Sequence, residues 1–149
     1  MTPETSTVFA AMNVVGLVAF AVVGVLKGRD ADLALFGIAV LGLLTALGGG
    51  TLRDVLAGRV PTALRSTSDV SVALLGVVAG VVLAAALQDR VDGRLRDHLA
   101  LQLPDAVGLA AFASTGALVG VQAGLSPFGV VVLAALTGVG GGSIADLLV

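Results

Sequence analysis

Cysteine, tryptophan and tyrosine are absent from this chain, and charge is scarce. Without cysteine there is no disulfide, no thiolate metal site and no cysteine nucleophile. Without Trp or Tyr there is no aromatic belt at a membrane interface, and arginines near helix ends must anchor the chain instead. Only 12% of residues are charged, against about 25% in an ordinary soluble domain. That is too little polar surface to coat a water-facing globule. The formal net charge is -2 and the basic residues are dispersed at segment ends, which excludes nucleic acid as an expected partner. The single histidine, His98, lies in a charged stretch with no further ligands near it and reads as a solvated residue. No acid–base pair, nucleophile–histidine arrangement or metal-ligand spacing is present, so neither an enzyme nor a cofactor is expected.

Apolar sequence dominates: 57% of the 149 residues are hydrophobic, and the mean hydropathy is +1.08. A membrane span takes about 20 apolar residues. Five segments meet that length or come near it: Val8–Leu26, Leu33–Leu52, Val70–Leu87, Ala106–Gly124 and Pro127–Val149. They lack the polar stripe of soluble helices, so an all-α, multi-pass membrane protein with the lipid bilayer as its solvent is expected. The first run has no basic residue before it and reads as a retained helix rather than a signal peptide. Residues 88–104 form the one long polar connector, amphipathic or irregular, while Ser126 and Pro127 make a tight turn suited to a helix start. Connections one and three carry Lys27, Arg29, Arg90, Arg94 and Arg96, whereas connection two carries Arg59 and Arg65, with Arg53 at its edge. This bias puts connections one and three in the cytoplasm and the amino terminus outside the cell membrane.

The chain repeats itself. Residues 13–56 align without a gap on residues 105–148, and 22 of these 44 positions are identical. The run Thr45–Asp54, T-A-L-G-G-G-T-L-R-D, returns at Thr137–Asp146 as T-G-V-G-G-G-S-I-A-D. A single transmembrane domain, 1–149, is expected, with repeat one at 8–87 and a partial repeat two at 105–149. The period holds three spans, an odd number, so the second copy enters the membrane from the opposite side. Transporters and channels use such inverted repeats to place a site near the midplane.

Candidate site residues follow from the shared positions. Three consecutive glycines are a place where a helix bends or unwinds, and freed carbonyls in lipid must face protein or a watery cavity. Gly48, Gly49, Gly50, Gly140, Gly141 and Gly142 are therefore expected at the interior, with close helix packing as the alternative. The G-x-x-x-G pairs Gly24/Gly28 and Gly76/Gly80 fit close packing better. Arg53 and Asp54 follow the first triplet, and each is expected to find its partner on another helix. Asp146 is the mate of Asp54, while Ala145 replaces the arginine. Ionisable groups in a span face the bundle interior or an aqueous path. Thr45 and Thr137, with Ser114 and Thr115, either bond backbone or line that path. Asn13 and Asp105 stand at equivalent helix starts, where capping is expected.

These motifs carry a resemblance. D/N-x-x-G-x-x-x-F-A at Asn13–Ala21 and Asp105–Ala113, L/P-F-G at Leu35–Gly37 and Pro127–Gly129, and both glycine triplets resemble the prokaryotic trimeric intracellular cation (TRIC) channel family and its bacterial relatives. The resemblance implies inverted three-helix repeats plus a final helix, five of an expected seven spans being present here. Two further helices are expected past Val149. It also implies a homotrimer with a pore in each subunit, glycine kinks at the six triplet positions, and permeant monovalent cations, K⁺ foremost or Na⁺. Arg53, Asp54 and Asp146 match the charged positions that follow the kinks. A carrier of a compact solute such as glycine is the alternative activity, since relatives have been assigned that role. The inversion is directly testable in a cysteine-free chain. Single Asn13→Cys and Asp105→Cys variants are expected to react with impermeant thiol reagents from opposite faces of the bilayer.

Overall fold

The computed structural model describes residues 3–88 and 93–149; the side chains of residues 87–98 and 100, including Arg90, Arg94, Arg96 and His98, lie outside the described part. Six helices follow in order: α1 (Pro3–Asp30), α2 (Leu35–Leu56), α3 (Thr62–Arg65), α4 (Thr67–Gln88), α5 (Gly93–Gln122) and α6 (Pro127–Leu148). All but α3 are long and apolar enough to cross a membrane. The protein is thus an all-α membrane protein with five spans among the described residues. Large apolar side chains point outward, Phe36 at 82% exposure and its repeat mate Phe128 at 78%, as lipid-facing residues do.

Local sequence sets the helix ends. After α1 and α5 the chain takes a left-handed residue, Asp32 (φ 54) and Gly124 (φ 69), one repeat period apart. In both, the next amide reaches back five residues in the cap: Leu33 N donates to Gly28 O at 3.0 Å and Leu125 N to Gly120 O at 3.1 Å. Ser126 caps α6 by accepting from Gly129 N at 3.2 Å, with Pro127 in the first turn. The polar connector differs from its expectation. Helix α5 begins at Gly93 and continues through Pro104, so a stretch expected to be short or irregular is mostly helix. One proline removes a single helical hydrogen bond, and here the turn before it stays helical.

Glycines place the helices. Gly24 of α1 faces Gly42 and the Leu41 carbonyl of α2, and Gly116 of α5 faces Ala134 and the Leu133 carbonyl of α6. Gly76 and Gly80 let α4 lie on α1, against Val18 and Val22. At the centre, Gly16 receives the ring of Phe112 and Gly108 the ring of Phe20. The two rings meet with centroids 5.3 Å apart, tilted by 49°. Helices α2 and α6 cross on the triplets: Gly49 rests on the Thr137 carbonyl and Gly141 on the Thr45 carbonyl. Apart from those of α4, each of these contacts has its mate in the other repeat, 92 residues away. The α1–α5 and α2–α6 pairs run antiparallel, as the inverted repeat requires.

Two expectations are corrected. The triplets do not unwind, for α2 and α6 are α-helical throughout. Contact with the facing backbone explains why Gly49 and Gly141 must lack a side chain, so close packing governs there. Asn13 and Asp105 are not helix starts; α1 begins ten residues before Asn13 and α5 twelve before Asp105, so neither caps.

The third glycine of each triplet differs. A Cβ on Gly50 would meet only Arg53 Nη2, at 3.8 Å, and one on Gly142 only Asp105 Oδ1, at 3.8 Å. Gly49→Ala is therefore expected to force α2 from α6 and to lower stability by about 1–3 kcal/mol. Gly50→Ala should stay within about 0.5 kcal/mol or improve stability through helix propensity. Apparent melting temperatures in detergent compare the two.

Candidate functional site

A buried polar network closes one end of the bundle. Arg53 and Asp54 sit in the last turns of α2, 2% and 4% exposed. Arg53 Nε donates to Asp54 Oδ1 at 2.8 Å, so the two neighbours pair with each other, against expectation. Successive helical side chains diverge, but the long guanidinium arm folds back over its neighbour. Each also has the partner on another helix that was expected: Arg53 Nη1 donates to Thr115 Oγ1 of α5 at 3.2 Å. Asp54 Oδ2 accepts both the amide and the hydroxyl of Thr62, each at 2.9 Å. The Phe9 ring lies 5.2 Å from the guanidinium carbon, a cation–π contact. The short helix α3 is thereby tied to the end of α2. Its path is set by Gly58 (φ 68), which turns the chain so that Arg59 N reaches Asp54 O at 2.8 Å.

Beside the pair lies a cavity of about 10 Å³, lined in part by Asn13, Gly50, Thr51, Asp54, Thr62 and Asp69. Asn13 Nδ2 donates to Asp69 Oδ1 at 3.1 Å. The volume suits about one water molecule, and the lining offers it several polar partners. A wider cleft of about 210 Å³ opens on the outer side of the network, between Phe9, Arg59, Arg65, Val119 and Gln122.

The second copy is built differently. Ala145 occupies the place of Arg53 and is fully buried. Asp146, two-thirds exposed, pairs instead with Lys27 from the end of α1. Asp105 lies by Gly142, as Asn13 lies by Gly50. The threonines bond backbone: Thr45 Oγ1 donates to Leu41 O and Thr137 Oγ1 to Leu133 O, both at 2.6 Å. Thr115 donates to Phe112 O at 2.9 Å, and Ser114 to Ala110 O at 2.8 Å. The structure therefore gathers Arg53, Asp54, Gly50 and Asn13 at one end, and Asp146, Gly142 and Asp105 on the second copy. Four members escaped the sequence reading: Phe9, Thr62, Asp69 and Lys27. Asp69 was findable as a carboxylate at the start of a span; Phe9, Thr62 and Lys27 carry no local signal for their roles.

Crossed, glycine-packed inverted repeats with charged groups at their ends define a membrane protein of the TRIC-channel fold. The family profile described as "Glycine transporter" matches residues 10–85 and 102–149. The chain belongs to that family and, through it, to the wider group of prokaryotic TRIC channels and their bacterial relatives. It is 31% identical to a prokaryotic TRIC channel solved in 0.5 M KCl, with a TM-score of 0.86, covering 96% of this chain and 71% of that one. The TRIC orthologue of Rhodobacter sphaeroides is 33% identical, with a TM-score of 0.83, over 95% of this chain and 70% of that one. Among curated proteins, a UPF0126 membrane protein of Deinococcus radiodurans is 44% identical over 92% of this chain and 61% of its own length. The UPF0126 membrane protein YvgT of Bacillus subtilis is 37% identical over 92% of this chain and 65% of its own length. The chain thus spans somewhat less than two thirds of these curated relatives.

The two carboxylates make different energetic predictions. Asp54→Ala strands a buried guanidinium and should cost about 3–5 kcal/mol. Asp146→Ala breaks a pair whose carboxylate is two-thirds exposed and should cost about 1 kcal/mol or less. Unfolding in detergent should separate them, and raised salt should shrink only the second effect.

Proposed function

We propose that this chain forms a channel for monovalent cations, with potassium the main ion and a separate path in each subunit of a homotrimer. The observation that carries this reading is the likeness to solved TRIC channels along nearly the whole chain, at an identity above the level where only a fold is shared. The geometry supports it with a physical argument. Polar groups collect beside Gly50 and beside Gly142, and between them lies a waist of Phe20, Phe112 and the packed glycines 48, 49, 140 and 141. A path from one polar end to the other passes that waist, and conduction needs α2 and α6 to part there. Crossings held by glycine contacts rather than interlocked side chains are suited to such a shift.

In this reading the repeats run 8–87 and 105–149. Gly50 and Gly142 face the path, and the remaining triplet glycines act as the hinge. Arg53 and Asp54 gate one end and Asp146 the other. Thr45 and Thr137 turn their hydroxyls to the path once the helices part. The amino terminus lies outside the cell membrane.

A second reading, a carrier for glycine or a similarly compact amino acid, is favoured by the description of the matched family. Broken or flexible helices serve carriers as well as channels. Proteoliposomes loaded with K⁺, Na⁺ or labelled glycine decide between them. The channel reading expects cation flux that does not saturate and unitary currents in planar bilayers. Saturable glycine uptake with folded protein and no unitary current would replace it by the carrier.

A further inference from the structure

The cleft outside the buried network holds two groups that neither reading uses. Arg59 and Arg65 both line it. Both are exposed, and their side chains have no ion pair or hydrogen bond among the described residues. They are held in place by backbone. Arg59 follows the turn at Gly58 and is tied by its amide to Asp54 O at 2.8 Å. Arg65 ends α3, whose first residue, Thr62, is clamped by the Asp54 carboxylate through two 2.9 Å hydrogen bonds. The buried pair therefore acts as a fixed base from which two uncommitted guanidiniums reach one cavity.

We propose that this cleft binds a small monocarboxylate, with its head held by Arg59 and Arg65. Three guanidiniums against one carboxylate leave the lining with a net charge of +2. A lining of that sign concentrates anions and repels cations. The guanidinium fork matches a carboxylate in two parallel hydrogen bonds. Gln122 adds an amide donor, while Phe9, Val60 and Val119 form apolar walls for a short aliphatic part. The cleft of about 210 Å³ is many times the volume that suits one water molecule, and leaves room for a short-chain ligand. Asp54 forms part of the lining with its oxygens already satisfied by Arg53 and Thr62. The apolar walls cover an aliphatic tail but would strip water from phosphate oxygens without replacing their hydrogen bonds, and so favour a monocarboxylate over inorganic phosphate.

The inference does not rest on ion conduction, because it is read as binding in detergent. Isothermal titration of the purified full chain with propionate, at constant ionic strength, is expected to give a saturable isotherm. Inorganic phosphate should bind more weakly. The R59Q/R65Q variant should lose roughly tenfold or more in affinity. Should the double variant fail to fold, single R59Q and R65Q variants are each expected to weaken binding. The proposal is overturned by an absence of saturable binding, by undiminished affinity in the arginine variants, or by phosphate binding tighter than propionate.

Discussion

Two helices touching backbone to backbone in the middle of the bundle is the contact on which the rest of this molecule depends. Apolar side chains gain little by leaving lipid for protein, so helices in a membrane associate through close fit rather than through the hydrophobic effect. At the α2–α6 crossing that fit is reached where Gly49 and Gly141 each rest on the opposite helix's threonine carbonyl. The same device recurs one layer out, where Gly16 and Gly108 accept the phenylalanine rings of the other repeat. A side chain at either position would hold the repeats apart. Thr45 and Thr137 belong to the same economy of space: their hydroxyls turn back to their own helices at 2.6 Å, which leaves their carbonyl faces free to be covered.

Symmetry governs the centre and fails at the ends. The waist is built from equivalent residues of both copies, but the charged groups beyond it are not equivalent. Copy one keeps Arg53 beside Asp54 and seals the pair under α3 and Phe9. Copy two has Ala145 at that place, and its carboxylate, two-thirds exposed, takes a cation from the end of α1. A buried pair resists salt and holds one geometry, whereas an exposed pair is screened and labile. The two ends of one scaffold therefore differ in stiffness, and the difference traces to one side chain.

Burial of Arg53 also shapes what lies outside it. A guanidinium at 2% exposure needs its donors filled, and Asp54, Thr115 and the Phe9 face do this from three helices. Because Asp54 has a second oxygen to satisfy, it captures Thr62 and with it the short helix α3. The loop that follows α2 becomes an ordered platform instead of a free connector, and a cleft forms between it and α5. An interior electrostatic requirement thus determines a surface feature.

How far this was readable in advance depended on the kind of signal. Spans show as apolar runs because lipid imposes length and composition on each helix separately. The inversion shows because an odd number of spans per repeat permits no other arrangement, and the matched glycines and phenylalanines mark the residues at the crossing. The sequence by itself therefore determined the membrane setting, the five spans, the repeat and the location of the charged ends. The tertiary structure alone decided that the triplets stay helical, since bending and close packing demand the same residue. It alone decided that Arg53 folds onto Asp54, that Asn13 bonds Asp69 rather than capping a helix, and that Lys27 answers Asp146 from 119 residues away. Those pairings depend on the distance between helix ends once the glycines are in contact, a quantity that exists only in three dimensions and leaves no period or motif in the chain.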